Sequence, residues 1–171
     1  MGIDNIGNKK NSFKSKSIEY STPKTIVNPL IDEFEITTDV CASSLNHKLP
    51  NYWTKEDNSL EKEWLGNCWM NPPFDRNLSK WVKKAYSESL INGGTKVCLI
   101  PVRSNTKWWA ETVTNGEIRF INGEVNFNDE ERGLWMGMCI VIFGEKAKTG
   151  THSIIDYRTI RAKEKLILSA Q

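Results

Sequence analysis

The segment from residue 68 to residue 102 constrains the fold most, because strand and helix patterns alternate along it. Cys68-Trp69-Met70 is a short apolar run typical of a buried strand. Apolar residues at helical spacing from Leu78 to Ile91 predict a helix, which Asn92-Gly93-Gly94 would end. The run Lys96–Val102 is continuously apolar, as in a strand that a parallel sheet buries on both faces. This order predicts an α/β domain.

The flanking segments extend the pattern to one predicted domain at residues 18–146. Alternation in Phe34–Val40 predicts a further strand, and the region Trp108–Val113 predicts a helix. Two later strands are predicted at Glu117–Phe127, broken by Asn122-Gly123, and at Leu134–Phe143, with no helical pattern between them. The predicted fold class is therefore α/β, a mostly parallel sheet with an antiparallel edge hairpin.

The two ends of the chain differ in composition from this domain. Residues 1–17 are polar and lysine-rich, which predicts a disordered basic arm. Thr22-Pro23 predicts the start of a first helix, with the threonine as N-cap, and Pro29 should end or kink that helix. Residues 147–171 are predicted to form a C-terminal tail with a weak helix near residues 161–168.

Composition excludes several classes of protein. The 171 residues carry a formal net charge of +2, which permits nucleic-acid binding without requiring it. The four cysteines form no CxxC pair and there are only two histidines, so we expect reduced thiols and no metal site. No apolar run approaches membrane-spanning length and no apolar signal core begins the chain. We therefore expect a soluble cytoplasmic protein with no membrane partner.

The motif Asn71-Pro72-Pro73-Phe74 directly follows the predicted strand at residues 68–70. An asparagine oxygen and the adjacent backbone carbonyl can each accept one N–H of an aromatic exocyclic amine, which draws the nitrogen lone pair out of the ring. The prolines fix the backbone φ and bring no competing N–H, and the aromatic ring can stack on a base. Positioning and preorganised acceptors would then do most of the catalysis. A plain turn after a strand is the alternative.

Three predicted strands end in polar residues, Asp39, Asn71 and Arg103. Because ligands of an open α/β sheet bind at the carboxyl ends of its strands, these positions locate a candidate site. Basic and hydroxyl side chains after the third strand suit phosphate contacts, although a solvated loop is an equal alternative. The residues predicted to make phosphate contacts are Arg76, Arg103, Ser104, Asn105, Thr106 and Lys107.

Several motifs occur together in one order along the chain. They are Asp39-Val40-Cys41-Ala42-Ser43, Asp57 to Trp64, Asn71 to Phe74, Trp81 to Ala85, Pro101-Val102-Arg103 to Trp108-Trp109, and Glu117 to Gly123. Over about residues 20–145 this order resembles the phage-type DNA N6-adenine methyltransferases (Dam family).

The resemblance implies a Rossmann-like fold that binds S-adenosylmethionine as methyl donor, without a metal. It further implies site-specific transfer of the methyl group to a flipped-out adenine in double-stranded DNA, in the host-cell cytoplasm if the gene is of phage or prophage origin. The catalytic residues it implies are Asn71, Pro72, Pro73 and Phe74. The donor-binding residues it implies are Tyr20, Thr22, Pro23, Asp39, Cys41, Ala42, Asp57 and Asn58.

Alternatives remain open for the single residues and for the function. Asp39 and Thr22 are also explained by capping, and Asp57 and Asn58 by a solvated turn. The same motif would serve another amine, namely cytosine N4, an RNA adenine or a protein glutamine. A catalytically silent DNA-binding protein of the same fold is the alternative from a different class.

Overall fold

In the computed structural model, which describes residues 20–129 and 134–169, the chain forms a mixed sheet with helices on both faces. The helices are α1 (Lys24–Phe34), α2 (Leu78–Ile91), α3 (Lys107–Thr112) and α4 (Tyr157–Ser169). The strands are β1 (Thr38–Asp39), β2 (Cys68–Met70), β3 (Thr95–Pro101), β4 (Glu117–Asn122), β5 (Met138–Gly144) and β6 (His152–Asp156).

The strand order is β1-β2-β3-β5-β4-β6 within the described residues. The pairs β1–β2, β2–β3 and β4–β6 are parallel, whereas β5 is antiparallel to both of its neighbours, β3 and β4. The carboxyl ends of the other five strands therefore meet at one edge of the sheet, beside the amino end of β5. This edge is where an α/β sheet binds its ligands, and the α/β fold class is confirmed.

Alternate residues of the central strands enter two separate cores, one on each face of the sheet. Val97 and Leu99 of β3 pack with the apolar face of α1 and with Tyr157 of α4. Cys98 and Ile100 of the same strand pack with α2 and α3. Because β3 is buried along its whole length, it needs apolar residues facing both layers, which explains its continuous apolar run.

The central part of the sequence prediction is confirmed. Strand β2 and helix α2 have the predicted bounds, and β3 begins and ends one residue before its predicted bounds. Helix α2 is followed by Gly93 and Gly94, both with positive φ. A side chain at Gly94 would place its Cβ 2.4 Å from the backbone oxygen of Gly66, so this turn requires glycine.

The prediction that Thr22 caps the first helix is wrong, and of the two effects predicted for Pro29, an end or a kink of the helix, the end does not occur. The N-cap of this helix is Pro23, no side chain caps it, and Thr22 makes its contact elsewhere. Pro29 does not end the helix, which continues to Phe34. Four large apolar side chains of α1 are buried, and each contributes about 1.5–3 kcal/mol. Together they outweigh the cost of about 3 kcal/mol for a proline inside a helix.

The sheet also differs from the prediction at both edges. The strand predicted at Phe34–Val40 is reduced to β1, because Phe34 still belongs to α1 and Glu35 ends that helix in the left-handed region. The β4–β5 pair is antiparallel as predicted, but it does not form the edge. The edge strand is β6, in the region predicted as the C-terminal tail. The helix predicted in that tail, α4, is longer than predicted. The predicted basic arm lies outside the described residues.

Candidate active site

A cavity of about 360 Å³ lies at the carboxyl ends of β1 and β2. Because these strands are parallel neighbours, the segments that follow them lie side by side and form two of its walls. The turns at residues 54–59, Trp81 of α2, and Tyr20 in the segment before α1 (residues 20–23, here called the entry segment) contribute the rest. This volume falls within the range of small-molecule sites.

Part of the predicted site is brought together at this cavity. From the motif after β2, Asn71, Pro72 and Pro73 line it. From the predicted donor set, the lining residues are Tyr20, Cys41, Ala42 and Asn58. The other predicted donor contacts, Thr22, Pro23, Asp39 and Asp57, do not line the cavity, and neither does Phe74.

The side chain of Asn71 is held at its nitrogen and lacks a partner at its oxygen. Its Nδ2 donates to the backbone oxygen of Tyr20 at 2.6 Å and to Oγ1 of Thr22 at 3.1 Å. Its Oδ1 is buried and has no hydrogen-bond partner within the described part of the chain. A buried acceptor without a partner costs about 1–3 kcal/mol, which makes this oxygen a candidate ligand contact.

The Phe74 ring packs against aromatic rings of this protein. It stacks on Tyr20 with the centroids 5.3 Å apart and the planes 16° apart, and it meets Phe127 edge-on at 5.9 Å. Because its face is covered by Tyr20, Phe74 fixes the ring of the entry segment at the cavity rim. Tyr20 is the aromatic side chain of this cluster that lines the cavity.

Asp39 is almost fully buried behind the cavity wall. Its carboxylate accepts the backbone N–H of Cys41 at 3.3 Å and of Lys48 at 3.0 Å, which shapes the loop after β1. Burial raises the pKa of Asp39 to about 6, although these two N–H groups and the Lys48 ammonium oppose the rise. The observed contacts of the carboxylate are thus with the loop that forms the wall.

The turns at residues 54–59 form a further wall of the cavity. Asp57 accepts the backbone N–H of Thr54 at 2.8 Å and the Lys62 ammonium at 2.9 Å. These two contacts lower the pKa of Asp57 to about 2. The Ser59 hydroxyl donates to the backbone oxygen of Val40 at 2.6 Å and so fastens the turn to the end of β1. Asn58, between them, has a left-handed φ of 49° and lines the cavity.

Several lining residues were not predicted from the sequence. They are Val40, Asn46, Thr54, Lys55, Ser59, Asp75 and Trp81. Most belong to the irregular segment between β1 and β2, where no periodicity indicates which side chains face a ligand. Trp81 could have been predicted, because it lies in the first turn of the helix that follows the motif at residues 71–74.

The predicted DNA contacts lie beside the cavity. The loop after β3 holds Arg103 and Lys107, whose side chains are exposed at the same edge of the sheet. Arg76, just after the motif, is also exposed. Thr106 is only half-exposed, and its hydroxyl donates to the backbone oxygen of Arg103 at 2.8 Å, which stabilises the loop. Trp135, 93% exposed, lies in the loop before β5 at this edge.

Three further findings limit the chemistry of the described residues. All four cysteines are free, and burial raises the pKa of the Cys41 thiol to about 12, which makes it a poor nucleophile. No group of three or more metal-ligating side chains is found there. In residues 20–129 and 134–169, no helix is long and apolar enough to cross a membrane.

Comparison with known proteins shows to which family the chain belongs. The model of the family described as DNA N-6-adenine-methyltransferase (Dam) matches residues 9–164. The chain belongs to the Dam family. The match includes the motif after β2, the cavity and, at its end, β6 with part of α4. The resemblance inferred from the sequence is thereby confirmed.

A relative of this Dam-family protein gives the same assignment. The chain is 33% identical over 155 residues to a protein of Haemophilus phage HP1 named DNA N-6-adenine-methyltransferase. The aligned part covers 84% of this chain and 88% of the relative. The family and this relative together indicate a DNA adenine N6-methyltransferase.

Proposed function

We propose that this Dam-family protein binds S-adenosylmethionine in the cavity and methylates N6 of an adenine that leaves the DNA duplex to reach Asn71. The observation that carries the proposal is the buried Oδ1 of Asn71, a cavity-lining residue whose oxygen has no hydrogen-bond partner among the described residues. An exocyclic amine has the N–H that this oxygen needs. The family assignment supports adenine as the base that carries the amine.

The residues after β2 would hold the amine by two acceptors. Oδ1 of Asn71 accepts one N–H of the amine, and the adjacent backbone carbonyl accepts the other. Both bonds draw the nitrogen lone pair out of the ring and toward the methyl donor. Pro72 and Pro73 bring no N–H into the site that would compete for these oxygens. Because the acceptors are fixed before the base arrives, little reorganisation is needed during transfer.

The cavity fits S-adenosylmethionine by size and by the chemistry of its walls. Its polar lining residues include Asn46, Thr54 and Asn58, which suit the hydroxyl and amino groups of such a ligand, and Val40 and Trp81 supply apolar surface. When bound, S-adenosylmethionine supplies an electrophilic methyl group. The motif after β2 lies in the wall of this same cavity, so the amine acceptors and the donor site are adjacent.

The exposed side chains beside the cavity would bind the DNA backbone. Arg103 and Lys107 in the loop after β3, with Arg76 near the motif, present positive charge at the edge where the base must enter. Contacts of this kind position the duplex but carry no sequence information. A Rossmann-like classification of the sheet belongs to the same proposal and is supported by the donor cavity at the strand ends.

The test is transfer of labelled methyl from S-adenosylmethionine to unmethylated DNA, followed by nucleoside analysis of the product. The wild-type protein should form N6-methyladenine. Asn71→Ala should lower the transfer rate on the order of 10²–10³-fold, since it removes a preorganised acceptor. Donor affinity, measured by calorimetry, should stay nearly unchanged. Asn28→Ala, which alters an exposed asparagine on α1, is the matched control and should transfer at the wild-type rate.

Other outcomes would contradict the proposal in distinct ways. N4-methylcytosine in the product would show that the amine is that of another base. Donor binding without label in DNA would direct the search to RNA or protein glutamine. No donor binding at all would favour a silent DNA-binding protein. Wild-type transfer by Asn71→Ala would remove Asn71 from the mechanism.

A further inference from the structure

The side-chain amide nitrogen of Asn71 donates both of its hydrogens to acceptors in the entry segment. Nδ2 lies 2.6 Å from the backbone oxygen of Tyr20 and 3.1 Å from Oγ1 of Thr22. A backbone oxygen can only accept, so the nitrogen of the amide must face Tyr20. This contact fixes which end of the amide is the acceptor, and the hydroxyl of Thr22 completes the pair.

The burial of Thr22 argues for this contact rather than for one with a small ligand. Thr22 is only 2% exposed and does not line the cavity. It does not cap α1 either, since the N-cap of that helix is Pro23 and no side-chain cap hydrogen bond is present there. Its contact with Asn71 is the hydrogen bond that the structure gives its hydroxyl.

The entry segment is itself held by two loops distant in sequence. The backbone N–H of Ser21 donates to Oδ1 of Asn128 at 2.8 Å, and the backbone N–H of Asn128 donates back to the oxygen of Ser21 at 3.0 Å. The ammonium of Lys48 donates to the Ser21 hydroxyl at 2.8 Å. Asn128 has a left-handed φ of 58°, which lets it face Ser21 with both its backbone and its side chain.

We propose that Thr22 is a positioning residue for the transfer step, because its hydroxyl, on a segment clasped by Asn128, holds the Asn71 amide with its oxygen presented to the amine. This inference rests on the proposed role of Asn71. It assigns to Thr22 a task other than the donor contact that the family resemblance implies. It predicts that the rate of transfer depends on Thr22 and that donor affinity does not.

The experiment compares Thr22→Val with Thr22→Ser in the full chain. Valine keeps the shape of threonine but removes the acceptor, whereas serine keeps it. With saturating donor and DNA, Thr22→Val should lower kcat on the order of tenfold, because one N–H of the Asn71 amide loses its partner and the amide is then held by the Tyr20 oxygen alone. Thr22→Ser should retain most of kcat. The Kd for S-adenosylmethionine, from calorimetry, should be the same in all three proteins.

A second pair of variants tests the contact between Asn128 and Ser21 without changing Thr22. Asn128→Gly tolerates the positive φ but removes the side-chain acceptor for the N–H of Ser21. Asn128→Asp keeps an oxygen there. The glycine variant should lower kcat with an unchanged donor Kd, and the aspartate variant should retain most of it. This pair decides the question if Thr22→Val fails to fold.

Each remaining outcome overturns the inference. A raised donor Kd with unchanged kcat in Thr22→Val would show that the hydroxyl serves the donor. An unchanged kcat and Kd would show that it serves neither, and an equal loss in Thr22→Ser would show that the hydroxyl is not the relevant group. Asn71→Ala, measured alongside, separates these results from failure of the proposed function, because wild-type transfer in that variant would refute the role of Asn71 itself.

Discussion

The buried carboxyl group of Asp39 predicts a stability that falls as pH rises. Its folded-state pKa is about 6, raised from the ordinary value of 3.8 chiefly by burial. The unfolded chain therefore loses this proton at lower pH than the folded protein does, so ionisation favours unfolding. The stability from the protonated form is fully present below about pH 3.8 and is lost as the pH rises through about 6.

The size of the effect follows from the two pKa values. The difference, 6 − 3.8 = 2.2 units, corresponds to about 3 kcal/mol over the full titration. Between about pH 4.5 and about pH 7.5 the linkage relation gives about 2 kcal/mol of this, because part of the unfolded chain is already ionised at the lower pH. Asp39→Asn removes the charge but keeps an oxygen at the same place. Relative to wild type, this variant should gain about 2 kcal/mol across that range.

Urea unfolding followed by tryptophan fluorescence measures this difference, since the chain has seven tryptophans. Subtracting the variant from wild type at each pH cancels the titrating groups that do not interact with Asp39. Asp57→Asn is the matched control. The pKa of Asp57 is lowered to about 2, so it is ionised in both states over this range and its difference curve should be flat. A flat curve for Asp39→Asn as well, or one of opposite slope, would refute the argument.

Two further predictions concern the loop after β3, which we propose faces the DNA, and the opposite end of the sheet. Arg103→Ala and Lys107→Ala should each weaken DNA binding and reduce the slope of log K against log salt by about 1, with donor affinity unchanged. Lys148→Ala, beyond the opposite end of β5, should leave both unchanged, and equal losses in all three would contradict the assignment of the loop. Gly144→Ala should destabilise the fold by on the order of 3 kcal/mol in urea unfolding, because its Cβ would lie 2.0 Å from the backbone oxygen of Gly94 at a φ of +100°. Wild-type stability of this variant would show that the turn adjusts freely.

The sequence alone determined the elements whose cause is local. The apolar run of β3 and the helical spacing of α2 depend on residues a few positions apart, so their bounds were predicted to within one residue. The motif at Asn71 was found for the same reason, since a strand immediately precedes it and its chemistry is contained in four consecutive residues.

The tertiary structure alone decided the elements that depend on distant partners. Strand β6 is mostly exposed and has no apolar alternation, so only its backbone pairing with β4 makes it a strand. Helix α1 continues through Pro29 because its buried face is anchored in the core. In both elements, burial and strand pairing outweigh local propensity, and a short stretch of sequence does not contain that information.

The candidate site divides in the same way. The sequence supplied the proposed amine acceptor, Asn71, but not the orientation of its amide, which depends on Tyr20 and Thr22 about fifty positions away. The cavity walls come from irregular loops that Asp39 and Ser59 fix through hydrogen bonds to backbone groups. The chemistry of a residue is local and can be read along the chain, whereas its orientation and its partners are set by contacts that exist only once the chain has folded.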